Sequence, residues 1–179
     1  MAEKRESLEE VARREAQVER ERQEARQEYL QSAARLAQEM PTAFFEFCGI
    51  VRETVRRFNS AADPQKRLSW RESPALAARD ANLNADFNCA FGRGKDEVTL
   101  TLNAMGRSGK PDVYIIEGFG QLGPNSDRFL LRVEGYLTKG KVQMRITVDF
   151  QRLALTLEEL AERLVMATVK SDYQELLKS

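Results

Sequence analysis

The feature that most constrains this chain is a regular stripe of apolar residues running from residue 29 to residue 58. Its members follow one another at intervals of three or four residues, which places them on one face of an α-helix. They are Tyr29, Ala33, Leu36, Met40, Phe44, Phe47, Val51, Val55 and Phe58. The stripe keeps its phase across Pro41, a residue that ordinarily ends or bends a helix. We therefore predict either one helix kinked near Pro41 or two helices stacked end to end.

The segment before this stripe favours a long charged helix. Residues 7–39 contain no Gly or Pro and are rich in Glu, Arg, Gln, Ala and Leu, which are all good helix formers. Ser7 and Glu10 have the spacing of a capping box, so we expect the helix to begin there. Such a helix is about 50 Å long at ~1.5 Å per residue. We assign residues 1–40 to an extended, coiled-coil-like helix and residues 41–179 to an α+β domain.

A thin apolar seam follows this charged helix at heptad-like spacing, but Glu15, Arg22 and Ser32 interrupt it. An eleven-residue spacing fits equally well and keeps a straight or slightly right-handed helix in phase. Three interpretations remain open, because the helix can pair with itself or a partner, stand alone in solvent, or order only on binding. The candidate interaction residues on the seam are Val11, Val18, Ala25, Tyr29 and Leu36.

In the second half of the chain the apolar period changes from 3.6 to 2, which is the period of β-strands. The alternating segments are separated by short loops that contain glycine, such as Gly92-Arg-Gly-Lys. We therefore predict five strands in an antiparallel meander over residues 83–150. Residues 113–119 are apolar on both faces. Either they form a central strand covered on both sides, or the polar face is masked in part by another chain or by the segment that carries Trp70. We favour masking.

Two amphipathic helices are available to cover the apolar face of this sheet. The first is the helix over residues 42–58, which a connector over residues 59–82 joins to the sheet; the connector includes a short strand or extended bridge around Trp70. The second follows the capping box of Thr156 and Glu159, and we place it over residues 156–178. The predicted fold class is α+β, with an amphipathic helix on one face of the sheet and a C-terminal helix.

The composition excludes several classes of function. Lys plus Arg and Asp plus Glu both number 28, so the net charge is zero, and nothing pulls the whole chain toward nucleic acid or an anionic membrane. The chain has no histidine, which excludes Ser-His-Asp catalysis and histidine zinc sites. Cys48 and Cys89 lie among apolar neighbours and are expected to be buried reduced thiols, with a disulfide or redox pair as the alternative. There is no signal-like or membrane-spanning segment, so we expect a cytoplasmic protein.

No residue pattern points to chemistry. Two loops contain a Gly-Lys pair, Gly92-Arg-Gly-Lys and Gly106-Arg-Ser-Gly-Lys. Both lack the full spacing of a phosphate loop and join strands, so they are interpreted as hairpin turns. We therefore assign no catalytic, cofactor-binding or metal-ligating residue. The leading hypothesis is a non-enzymatic interaction or assembly protein, adaptor- or scaffold-like, that homodimerises or binds another protein through its N-terminal helix. The alternative is a binding module for a small polar or anionic ligand, on the sheet face that carries Arg128, Arg132 and Arg145 or in a groove between helix and sheet.

Overall fold

We describe the fold from a computed structural model of the chain. The structure describes residues 7–73, 88–105, 113–123, 127–138 and 141–178. The sequence also predicts one or two helical turns at residues 75–81 and a turn at residues 106–112. These segments, and the predicted start of a strand at residues 83–87, lie outside the described residues. Among the described helices, none is long and apolar enough to cross a membrane.

One helix, α1, spans Leu8–Ala61 without a break. Its 54 residues make it about 80 Å long. The capping box at its start is confirmed, because Ser7 Oγ accepts a hydrogen bond from the backbone N–H of Glu10 while the Glu10 carboxylate accepts one from the backbone N–H of Ser7. Pro41 lies inside the helix and is buried. The alternative of two stacked helices is therefore wrong.

The sheet has seven strands, all antiparallel, and each pairs with its neighbours in chain order. The strands, β1 to β7, are Ser69–Glu72, Asn88–Arg93, Asp96–Met105, Val113–Leu122, Asp127–Thr138, Lys141–Val148 and Gln151–Leu153. The meander is confirmed, but the count of five strands is wrong. One added strand, β1, is the short segment around Trp70, and the other, β7, was not predicted.

The missed strand β7 follows a two-residue turn that carries no glycine. Asp149 and Phe150 have φ values of 47° and 68°, and such a turn is ordinarily marked by Asn-Gly or Asp-Gly. Because Phe150 continues the apolar alternation of β6, the sequence pattern merges it into that strand. In the structure β6 ends at Val148, and the Phe150 side chain is 85% exposed. The Asp149 carboxylate accepts a hydrogen bond from the backbone N–H of Leu130 at 2.9 Å.

The C-terminal helix, α2, spans Leu157–Lys170. Its predicted capping box of Thr156 and Glu159 is confirmed. The helix ends at Ser171, whose backbone is left-handed with φ 55°, and a short 3-10 helix follows at Tyr173–Leu176. The region from 156 to 178 is therefore two helical segments, separated by a turn.

The core lies between one face of the sheet and the two helices. From Leu36 onward α1 contributes the predicted stripe, and α2 contributes its apolar face. Burial of a large apolar side chain contributes about 1.5–3 kcal/mol before entropy is subtracted. The largest fully buried side chains are Phe44, Phe47, Phe91, Met40, Leu100, Ile116, Leu122, Leu131, Leu160 and Leu164.

Candidate functional site

The first half of α1 differs from the second in exposure. Residues 8–35, which we call the arm, include no buried residue, whereas the buried residues of α1 begin at Leu36. We call residues 36–61 the body half. The arm is polar on most of its surface, with glutamates and arginines interspersed along its whole length. The site predicted from the seam therefore lies mainly on the arm.

Four of the five predicted interaction residues lie on the arm. Tyr29 is 52% exposed and Val18 is 40% exposed. Ala25 is exposed as well, while Val11 is half-buried. Leu36 is only 6% exposed and belongs to the core cluster, so it is already covered by its own chain. At Leu36 the seam passes from the core to the arm.

A groove of about 530 Å³ lies where the arm meets the sheet. One wall is the last part of the seam, including Tyr29, Ala33 and Leu36, and the other is the end of β5 and β6, including Tyr136 and Arg145. The guanidinium carbon of Arg145 lies 5.3 Å from the centroid of the Tyr136 ring, which is within range of a cation–π contact. The groove therefore combines apolar walls with three charged residues, Glu28, Glu134 and Arg145.

A glycine opposite the helix shapes this region. A Cβ added to Gly135 on β5 would overlap the side chain of Met40, which is fully buried on α1. The missing side chain lets α1 approach β5 closely just before Pro41. The contact lies four residues beyond Leu36, where the buried residues of α1 begin.

The three candidate arginines of the polar sheet face do not form one cluster. Arg132 lies opposite Glu117 on β4, with its Nε 3.3 Å from the carboxylate, and Arg145 lies opposite Glu134 with a separation of 4.0 Å. Arg128 is four residues from Arg132, about 13 Å along the strand. An anion approaching Arg132 or Arg145 has to compete with a neighbouring carboxylate.

A second hollow, of about 490 Å³, lies at the Arg128 end of this face. It is lined in part by Lys95, Thr99, Phe119 and Arg128. Phe119 lies on the central strand β4 and is 50% exposed, so the outer face of that strand is open at this point. Phe119 was missed because residues 113–116 are apolar at four consecutive positions, so alternation gives no sign there of which side chains face outward.

The expectation that Trp70 masks the polar face is wrong. Trp70 pairs with Phe91 across β1 and β2, and their rings stack with centroids 6.4 Å apart. Phe91 is fully buried, so Trp70 packs against the core side of the sheet. The polar face therefore receives no cover from this residue.

The two cysteines meet between α1 and β2. Both are buried, as expected, and the Cys89 thiol donates a hydrogen bond to Cys48 Sγ over 3.3 Å. That the pair is reduced stays a prediction. This hydrogen bond from Cys89, together with burial, raises the pKa of the Cys48 thiol well above its ordinary value. A protonated, buried thiol is a poor nucleophile. Among the described residues, no group of three His, Cys, Asp or Glu side chains is placed to hold a metal ion.

Comparison of the chain with family models, with curated proteins and with solved structures gives no match.

Proposed function

We propose that this protein is a non-enzymatic assembly protein, adaptor- or scaffold-like, that homodimerises through its arm. The observation that supports the proposal is the continuity of one apolar stripe. The stripe that forms the core from Leu36 onward continues along the arm, where Tyr29 and Val18 are half-exposed and Leu8 is 89% exposed. A stripe in phase with the core stripe offers a matched surface to a second helix.

A second copy of the chain is the simplest partner for this surface. In a two-fold arrangement the same stripe serves both chains, so every contact is made twice. The seam is thin, and each large side chain that becomes buried contributes about 1.5–3 kcal/mol before the cost of association. We therefore expect a reversible dimer with a dissociation constant on the order of micromolar.

Two buried free thiols support a reducing compartment as the place of action. Disulfides form and persist in oxidising compartments, whereas cytosolic cysteines stay reduced. Cys48 and Cys89 lie 3.3 Å apart and remain unlinked. This arrangement supports a cytoplasmic location for the assembly.

The proposal is tested by placing charge on the seam of the full-length chain. In the double variant Val11→Glu/Val18→Glu, two carboxylates enter the paired surface, and we expect the dissociation constant to rise at least about a hundredfold. The matched control is Gln27→Glu/Ala34→Glu, which adds the same charge at exposed positions on the opposite side of the helix. Sedimentation velocity over a concentration series measures both.

The seam variant and its control distinguish pairing through the arm from no pairing. Loss of the dimer in the seam variant and retention in the control support the proposal. A wild-type chain that stays monomeric up to hundreds of micromolar would show that the arm does not pair with itself. Circular dichroism checks that both variants keep their helix content.

A second candidate function is a binding module on the open sheet face, and the hollow beside Phe119 favours it. An exposed aromatic ring next to Arg128 suits a flat ligand that carries an anionic group.

Titration with anilinonaphthalene sulfonate, followed by fluorescence, tests binding in this hollow directly. Arg128→Ala should weaken binding about tenfold, whereas Arg132→Ala and Arg145→Ala, whose partners are glutamates, should change it less. The control is Arg152→Ala on β7, which is exposed and outside the hollow. Equal affinity in all four variants would exclude the hollow as the site.

A further inference from the structure

The seam of the arm consists of two rows, each with a repeat of seven residues. Val11, Val18, Ala25 and Ser32 form one row, and it carries no charge. The other row consists of Leu8, Glu15, Arg22, Tyr29 and Leu36. It contains two charges of opposite sign, Glu15 and Arg22, which are seven residues apart.

These two charges distinguish the possible orientations of a paired arm. In a parallel dimer each seam residue faces its own copy, so Glu15 meets Glu15 and Arg22 meets Arg22, and like charges close together destabilise the pair. In an antiparallel dimer the order is reversed, and Glu15 of one copy comes within one layer of Arg22 of the other. The two-fold axis makes that favourable contact twice.

The groove is placed to accept the other end of the same helix. Leu8 and Tyr29 are 21 residues apart, about 32 Å along α1. An antiparallel pair that brings Glu15 beside Arg22 also brings Leu8 and Val11 of one copy beside Tyr29 of the other. Leu8 is the most exposed large apolar side chain of the described residues, at 89%, and the groove beside Tyr29 has apolar walls.

We propose that two copies pair their arms antiparallel, with the first turn of each α1 seated in the groove of the other copy. This inference rests on the proposed function, and it adds the orientation and the docking site. The two sheets then lie at opposite ends of the paired arms, roughly 50 Å apart by helix rise. Their open faces stay accessible, so the assembly holds two identical surfaces at a fixed spacing.

Orientation is measured with a spin label on the full-length chain. Ala34→Cys places a label on the exposed side of the arm, and Cys48 and Cys89 are buried. In the antiparallel dimer the two labels lie about 45 Å apart along the axis, whereas in a parallel dimer they lie about 20–30 Å apart. Double electron–electron resonance distinguishes these distances. A dominant distance below 30 Å would overturn the proposed orientation.

Substitution at Glu15 gives an independent test. Glu15→Arg puts two positive charges together in the antiparallel dimer, and we expect the dissociation constant to rise about tenfold. In a parallel dimer the same change replaces one like pair by another and leaves the affinity unchanged. Glu15→Gln should weaken the antiparallel dimer and strengthen a parallel one. The matched control is Glu24→Gln, the same chemical change on an exposed site away from the seam, which should leave the affinity unchanged.

The docking of the first turn has its own variant. Leu8→Ala should weaken the dimer several-fold, although in a single chain the side chain is almost fully exposed. Unchanged affinity in Leu8→Ala would overturn the seating in the groove. Failure of the proposed function looks different, since a chain that is monomeric at every concentration defeats both proposals. A dimer with a short label distance and a tighter Glu15→Gln variant overturns the antiparallel arrangement alone.

Discussion

The two halves of α1 share one helix and one apolar stripe, but they differ in what faces the stripe. In the body half Met40, Phe44 and Phe47 are fully buried against the sheet. On the arm Tyr29 is 52% exposed and Leu8 is 89% exposed. An amphipathic pattern therefore shows that one face of a helix is suited to being covered, but the same pattern does not show what covers it.

The side chains in the stripe reflect this difference. The body half of the stripe is uncharged and rich in Phe and Val, whereas the arm half contains Glu15 and Arg22. A charge inside the core is very costly unless it is paired. At the edge of a reversible interface a charge costs less and selects the partner and its orientation. The body stripe therefore serves stability, and the charges on the arm stripe support the proposal that the arm pairs with a second copy.

The largest expected effect is a cavity in the body half. Phe47→Ala should lower the free energy of unfolding by about 3–5 kcal/mol, because the ring is fully buried. Val18→Ala, a truncation on the arm at a side chain that is 40% exposed, should alter it by less than about 0.5 kcal/mol in the monomer. Urea denaturation at concentrations low enough to keep the chain monomeric measures both. Equal losses would mean that the arm packs within its own chain.

The rate at which thiols react compares the accessibility of the two halves of α1 in the native state. Cys48 and Cys89 are buried, and the raised pKa of Cys48 keeps that thiol protonated. A cysteine introduced on the arm by Ala34→Cys should react with a disulfide reagent at least about a thousandfold faster than the native pair. Rates are followed by absorbance at neutral pH. Rapid reaction of the wild-type chain would show that α1 separates readily from β2.

Two glycines test the close approach of the body half to the sheet. Gly135→Ala should destabilise the fold by about 1–3 kcal/mol, because its Cβ overlaps the buried Met40 side chain. Gly49→Ala on α1 meets nothing within 4 Å and should stabilise the helix by about 0.5–1 kcal/mol. Thermal unfolding gives the two shifts with opposite signs. A neutral Gly135→Ala would mean that α1 can move away from β5 without loss.

The smallest expected effect is that of surface ion pairs. We expect their contribution to the free energy of unfolding to be similar in both halves. In the body half Glu53 pairs with Arg56 at 2.7 Å, and a hydrogen bond from Arg56 holds the pKa of the Glu53 carboxyl below its ordinary value of 4.5. The contribution of this pair is therefore complete above pH 4.5 and is lost as the pH falls through the lowered pKa. Arg35 and Glu39, at the junction of the two halves, pair at 2.6 Å.

The variants Glu53→Gln and Glu39→Gln, unfolded by urea at pH 7 and pH 3, measure these contributions. At pH 7 both should be slightly less stable than the wild type, and the difference for Glu53→Gln should shrink at pH 3. A large loss in either variant would contradict the view that apolar contact, and not surface charge, distinguishes the two halves.

Much of the fold was predictable from local patterns. Ser7 with Glu10 and Thr156 with Glu159 located the starts of both helices, because a capping box is a short-range arrangement of four consecutive residues. The alternating segments located most of the sheet. The turn at Asp149 and Phe150 was missed because its residues adopt positive φ without glycine, under constraint from the strands on either side.

The candidate site was only partly predictable. The seam residues of the arm came from periodicity alone. The groove did not, since Tyr29 and Arg145 are more than a hundred residues apart and meet only after the sheet has formed. The pairing of Arg132 with Glu117 likewise depends on strand register, and register is decided by the packing of whole strands.

The sequence by itself determined where α1 begins, which of its faces is apolar, and that an antiparallel meander follows. These properties depend on neighbours within about four residues, and helix and strand periods report them directly. Only the tertiary structure decided that the stripe changes from buried to exposed at Leu36, and that a groove opens beside Tyr29. The physical reason is that burial depends on which distant surfaces meet, as in the close fit of Gly135 against Met40.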